Sequence, residues 1–103
     1  MNVVVSSRHM EVSPAIKQYA EEKAGKLTKY YDRIQEIEVT IDAVKGKSDP
    51  LHVSMIVNGE HKNLFNTQAD GDDAYKLIDA CVKTLERQLS DHHKKIKNRK
   101  HPE

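Results

Sequence analysis

The basic side chains carry the clearest chemical pattern in this sequence. From Lys83 to His101 seven lysines and arginines meet only two acids, Glu86 and Asp91, whereas just upstream Asp70, Asp72, Asp73 and Asp79 face Lys76 alone. A second group, Lys23, Lys26, Lys29 and Arg33, recurs at intervals of three and four residues, the spacing that sets side chains along one edge of a helix. Cations aligned on an edge suit a phosphate backbone, because each neutralised phosphate releases condensed counterions. The net charge of +1 conceals this, since 17 basic and 16 acidic residues cancel over 103 positions. Where each sign sits matters more than the sum.

Other chemistries find less support. The six histidines include no HExxH pair and no Cys-His pair at ligand spacing, and His92 and His93 are neighbours that diverge on a helix, so no metal site is expected. The acids fall in cap, turn and solvent positions rather than converging, and Gly25, Gly46, Gly59 and Gly71 are too scattered to form a phosphate loop. The single cysteine, Cys81, falls on an apolar helical arc and reads as a small core residue. Neither an enzyme nor a cofactor is expected.

The elements that must position the basic rows follow from periodicity. Asn2 to Arg8 is β-branched and reads as a strand near a sheet edge. Ser13-Pro14 is an N-cap followed by a proline at the first helical position, which predicts a helix from about Pro14 to Asp32. On it Ile16, Ala20, Ala24, Leu27, Tyr31 and Ile34 share one arc, with Tyr19 and Tyr30 on its shoulder. The four cations border that arc on one side, and Glu21, Glu22 and Asp32 occupy the other flank. Ile37 to Ala43 and Leu51 to Val57 alternate as half-buried strands, separated by the turn-rich Lys45 to Pro50. Asn58-Gly59 predicts a two-residue type I′ hairpin turn, and a last strand spans about His61 to Ala69. Asp70 to Asp73 then cap a helix from about Asp72 to Lys97, with Leu77, Ile78, Cys81, Leu85, Leu89, His92 and Ile96 inward. On a different face Lys76, Lys83, Arg87 and Lys94 fall within about 40° of one another.

The order β-α-β-β-β-α predicts an α+β fold: one crossover, a meander, and a four-stranded sheet with both helices on one face. Packed side by side, the helices would bring their basic edges to one groove or ridge. At 103 residues with 37% hydrophobic and 32% charged residues and a mean hydropathy of −0.77, the chain makes one polar globular domain, residues 1–97, followed by a short basic tail, 98–103. The absence of a long apolar run and of a signal-peptide pattern, with a lone cysteine, predicts a soluble protein of the reducing cytoplasm.

Three segments together resemble the ribosome hibernation promoting factor family, also called ribosome-associated inhibitors or ribosomal subunit interface proteins. They are Val12-Ser13 through Glu22-Lys23-Ala24-Gly25-Lys26-Leu27 to Tyr30-Tyr31-Asp32-Arg33-Ile34, the hairpin Val57-Asn58-Gly59, and Asp73-Ala74-Tyr75 through Ile78-Asp79 to Leu85-Glu86-Arg87-Gln88-Leu89. The likeness runs through nearly the whole chain in order. It implies a fold similar to double-stranded-RNA-binding domains, docked on the small ribosomal subunit where messenger RNA and the A- and P-site tRNAs sit, holding the ribosome idle. It also implies rRNA contacts from Lys23, Lys26, Lys29 and Arg33 and from Lys83, Arg87, Gln88, Lys95 and Lys97, with Lys83 and Lys94 compensating for Thr84 and Asp91, positions often basic in relatives. Asn63-Leu64-Phe65 looks like extra sequence beside the hairpin, with Leu64 and Phe65 read as core. Because long relatives carry a second, dimerising domain, the resemblance implies a monomer that inactivates single ribosomes and pairs them only with a separate partner factor. The alternative keeps the fold and replaces the ribosome with free structured RNA.

Overall fold

The computed structural model describes residues 2–31, 33–46, 48–59 and 63–99, with residues 63, 64 and 93–99 described by their backbone alone. Strand β1, Asn2–Arg8, leads through helix α1, Pro14–Gly25, to β2, Glu36–Ala43; β3, Leu51–Asn58, and β4, Asn63–Gly71, follow, and helix α2, Ala74–Arg99, closes the fold. The sheet order is β1-β2-β3-β4. The crossover makes β1 and β2 parallel, and the two later pairs are antiparallel. This is the α+β architecture expected from the alternating periodicities.

One apolar layer holds these elements together. Ile37, Val39 and Ile41 from β2 and Val53, Met55 and Val57 from β3 are fully buried, as strict alternation on a one-sided sheet requires. They form one cluster with Ala20, Ala24 and Leu27 and with Leu77, Ile78, Cys81, Val82, Leu85 and Leu89, so both helices cover the same face. Val82 is buried although it lies outside the arc read from the sequence. His92 stands at the border of the layer, edge-on to both Tyr31 and Phe65 at centroid distances of 5.3 and 5.4 Å. Phe65 packs against the core as expected, whereas the side chains of Leu64 and Ile96 lie outside the described residues.

Several boundaries differ from expectation, most of them for a local reason. Strand β4 runs to Gly71 rather than ending near Ala69, because Asp70 and Gly71 pair with His52 and Leu51, so they belong to the ladder and not to the helix cap. Helix α1 begins as predicted, with Ser13 Oγ accepting from the Ile16 N–H at 3.2 Å, but it ends at Gly25 rather than near Asp32. The chain tightens there into a 3₁₀ turn, Lys26–Lys29. Gly25 is a poor helix former, and the Thr28 hydroxyl donates to its carbonyl at 3.0 Å, a local bond that competes with helix continuation. Asn58 is not a turn residue: it is the last rung of β3, opposite Asn63, and its Nδ2 donates across to Glu38 Oε2 at 3.1 Å. The connection is therefore longer than a two-residue type I′ turn. The register jumps between Val57–Phe65 and Asn58–Asn63, leaving Leu64 as the extra residue of a bulge. Helix α2 starts two residues later than expected, because Asp73 is its cap and accepts from the Tyr75 and Lys76 N–H groups at 3.0 and 3.5 Å. It also runs on through Asn98 and Arg99, residues expected in the tail; residues 100–103 lie outside those described.

Leu85 is fully buried where α2 meets the sheet. Its truncation to Ala should cost about 2–5 kcal/mol, seen as a lower denaturation midpoint in urea at unchanged slope.

Candidate nucleic-acid interface

Ala20 and Ala24 are fully buried on the inward side of α1, and Val82 and Leu85 are buried on that of α2. Side chains at the edges of these buried strips must flank the seam between the helices. A shallow groove of about 220 Å³ lies along it, lined by Lys23, Lys26, Asp79, Val82, Lys83 and Glu86. Cations from both basic rows thus share one groove, as side-by-side packing predicts.

Each predicted contact residue has a definite place. Lys23 is half-buried, with its Nζ 5.4 Å from the centre of the Tyr19 ring, within range of a cation–π attraction. Lys26 and Lys29 are exposed on the 3₁₀ turn, where residues three apart eclipse one another and so project in one direction. Arg33 is exposed beyond that turn, in the link to β2, so it extends the row without belonging to the helix. Lys83 and Arg87 are exposed one turn apart on α2, and only Lys83 lines the groove. Gln88 faces elsewhere: it lines a cavity toward β4 with Phe65, Asp91 and His92, and its Oε1 is buried without a partner among the described residues. The helix backbone carries Lys94, Lys95 and Lys97, whose side chains lie outside the described residues.

Sequence reasoning missed the contact that ties the two helices. Tyr19 Oη donates to Asp79 Oδ1 at 2.6 Å, and the Tyr75 ring meets the Tyr19 ring edge-on at 4.9 Å and 76°. The hydrogen bond, then burial, then the Asp79 charge raise the Tyr19 phenol above its ordinary value. The only hint in the sequence is that Asp79 is an acid one turn before the basic face of its helix.

Elsewhere two histidines meet carboxylates. On the sheet face away from the helices His9 Nδ1 bonds Asp42 Oδ1 at 2.8 Å, and His52 Nδ1 contacts Asp70 Oδ1. Among the described residues no three of His, Cys, Asp and Glu are grouped to hold a metal ion, and no helix is long and apolar enough to cross a membrane.

A family model described as "Sigma 54 modulation protein / S30EA ribosomal protein" matches residues 3–97. The chain belongs to this family. Among its relatives, a protein of Azotobacter vinelandii named "Ribosome hibernation promoting factor" is 34% identical over 101 residues, covering 92% of this chain and 85% of that one. The protein of the same name in Escherichia coli K12 is 30% identical over 99 residues, covering 94% and 98%. A solved structure of a ribosomal subunit interface protein from Coxiella burnetii superposes with a TM-score of 0.77 at 27% identity, over 90% of this chain and 98% of that one. The S30EA family fold is therefore the scaffold that carries the two-helix groove.

Behind the groove, burial pushes the Cys81 thiol from 9.0 up to about 11, and its Sγ–H points at the Val53 carbonyl, 3.8 Å away. Because the folded value exceeds the unfolded one, the neutral thiol's contribution to stability is intact below about pH 9 and lost as pH rises through about 11. Denaturation midpoints should fall across that window, with a shallower fall in Cys81→Ala. At neutral pH the thiol should resist alkylation until the chain is unfolded.

Proposed function

We propose that this protein is a ribosome hibernation factor of the cytoplasm that binds the small ribosomal subunit through the α1–α2 face. There it occupies the decoding channel and excludes messenger RNA and tRNA. The observation that carries this reading is the shared groove, lined by Lys23 of α1 and Lys26 of the 3₁₀ turn on one side and by Lys83 of α2 on the other. Membership of the S30EA family supplies the partner class, and the names of the Azotobacter and Escherichia relatives point to hibernation. In this reading Lys29, Arg33, Arg87, Lys94, Lys95 and Lys97 extend the contact beyond the groove, and Gln88 contributes from the β4 side.

The mechanism is steric and electrostatic. Two rows of cations stand on elements that share one core, so the backbone that carries them is already ordered and only side-chain rotamers are left to be fixed by rRNA phosphates. No bond is made or broken. A folded domain seated where the codon and the tRNA anticodon ends must lie blocks initiation by its volume alone, and salt that competes for the phosphates releases it.

Sedimentation with purified ribosomes through sucrose gradients tests the reading: the protein should travel with the small subunit at low salt. Remaining at the top of the gradient while binding an isolated RNA duplex would replace the ribosome with free structured RNA. With roughly six phosphates engaged, affinity should fall by several powers of ten per tenfold rise in salt. Reversing two exposed charges together, Lys26→Glu with Arg87→Glu, should abolish co-sedimentation at a salt concentration where the wild type is bound, with the circular dichroism spectrum unchanged. Pre-bound messenger RNA and initiator tRNA should also exclude the protein, which would then inhibit free ribosomes more than elongating ones. Stable simultaneous binding of all three would move the site out of the decoding channel.

A further inference from the structure

Asp79 is out of place in a groove built for phosphate. It lines the same cleft as Lys23, Lys26 and Lys83, where a carboxylate repels the polyanion the lysines attract. Its Oδ1 is also the acceptor of the Tyr19 hydroxyl at 2.6 Å, the one side-chain hydrogen bond between α1 and α2 among the described residues.

We propose that Tyr19 is the positioning residue of the RNA-binding groove: by donating its hydroxyl to Asp79 it fixes α1 against α2, and so fixes the spacing of Lys23 and Lys26 from Lys83. This rests on the reading of the groove as an rRNA-binding surface and adds the residue that sets its width. Three observations carry it. Apart from the Tyr19–Tyr75 ring contact, which the same residue supplies, the helices meet through the shared apolar core that includes Ala20 and Ala24, and apolar packing is non-directional, so it limits separation better than it sets register. A hydroxyl-to-carboxylate bond is directional and, at this length, of the strong charge-assisted kind. The Tyr19 ring also lies 5.4 Å from the Lys23 ammonium and edge-on to Tyr75, so fixing the ring fixes the cation beside it. Phosphates on a folded RNA have set spacings, and cations held at the matching spacing bind without a further ordering cost.

The sign of one substitution separates this role from simple electrostatics. If Asp79 acts only through its charge, Asp79→Asn and Asp79→Ala should both tighten ribosome binding. If it anchors Tyr19, Asp79→Asn should bind as well as the wild type or better, because an amide oxygen still accepts the hydroxyl. Asp79→Ala should bind about three- to tenfold more weakly, the equivalent of one lost hydrogen bond. Tyr19→Phe, which keeps the ring contacts, should weaken binding by a similar factor with the salt slope unchanged. Lys23→Ala should instead lower the slope by about one phosphate contact.

Affinities are to be measured on ribosomes well below the melting temperature of each variant, with Tyr19→Phe deciding the matter if Asp79→Ala does not fold. Asp79→Ala binding as tightly as Asp79→Asn, or Tyr19→Phe binding like the wild type, would overturn the role. Ultraviolet titration of the phenols reports on the tie without any ribosome. One tyrosine should ionise above the others in the wild type, be absent in Tyr19→Phe and ionise lower in Asp79→Ala; its absence from the wild type would mean that the tie does not form. Failure of the wild type to bind ribosomes would overturn both the function and this role, and would be recognised by a phenol signature that persists without binding.

Discussion

A single apolar layer has to cover one face of the sheet and the inner faces of two helices at once, and the rest of the molecule is arranged around that requirement. Fully buried side chains of β2 and β3 point into the layer, and α1 and α2 meet them from the same side. Two helices on a four-stranded sheet must lie next to each other, so whatever borders their buried strips becomes common property of the pair. Ala20 and Ala24 on α1 keep the approach close, since small side chains let backbones come together. The groove with Lys23, Lys26 and Lys83 on its walls follows from core packing. It needs no loop and no separate binding module.

Much of this was legible because the sequence signals are redundant. Alternation in β2 and β3, the Ser13-Pro14 start and the helical arcs each point to the same topology, and consistency across levels is what lets a pattern specify a fold. What was not legible depends on competition between near-equal local options. Gly25 and Thr28 sit on a helical period, yet a side-chain bond to a carbonyl ends the α-helix there. Asn58-Gly59 has the composition of a tight turn, but Asn58 finds a partner in Glu38 on the neighbouring strand and remains in the ladder. A pairwise contact such as Tyr19 with Asp79, 60 positions apart, leaves no trace in periodicity. Of the site, the two basic rows could be read in advance, whereas the width of the groove and the acids inside it could not.

The early end of α1 changes the basic row to its advantage. In a continuous α-helix Lys26 and Lys29 would diverge by about 60°, whereas a 3₁₀ turn stacks residues three apart in line. The tighter turn therefore aims two neighbouring cations the same way, just beyond the point where Lys23 leans on the Tyr19 ring. Backbone geometry substitutes here for additional charge, and a chain of net charge +1 can still present a concentrated cationic edge.

Two acids within the groove explain how the domain tolerates that edge. Lysines crowded along one seam repel one another and favour the unfolded chain. Asp79 and Glu86 stand among them in the groove and offset that repulsion in the free protein, at the expense of some attraction for phosphate. Hydrogen bonding to Tyr19 spends part of the Asp79 acceptor capacity on the fold, which leaves Glu86 as the groove acid with no described hydrogen bond or ion pair. If the groove binds rRNA as proposed, the free and the bound domain make opposite demands on the same few side chains. A groove that sets two acids among three lysines is, on the proposed function, a compromise between those demands.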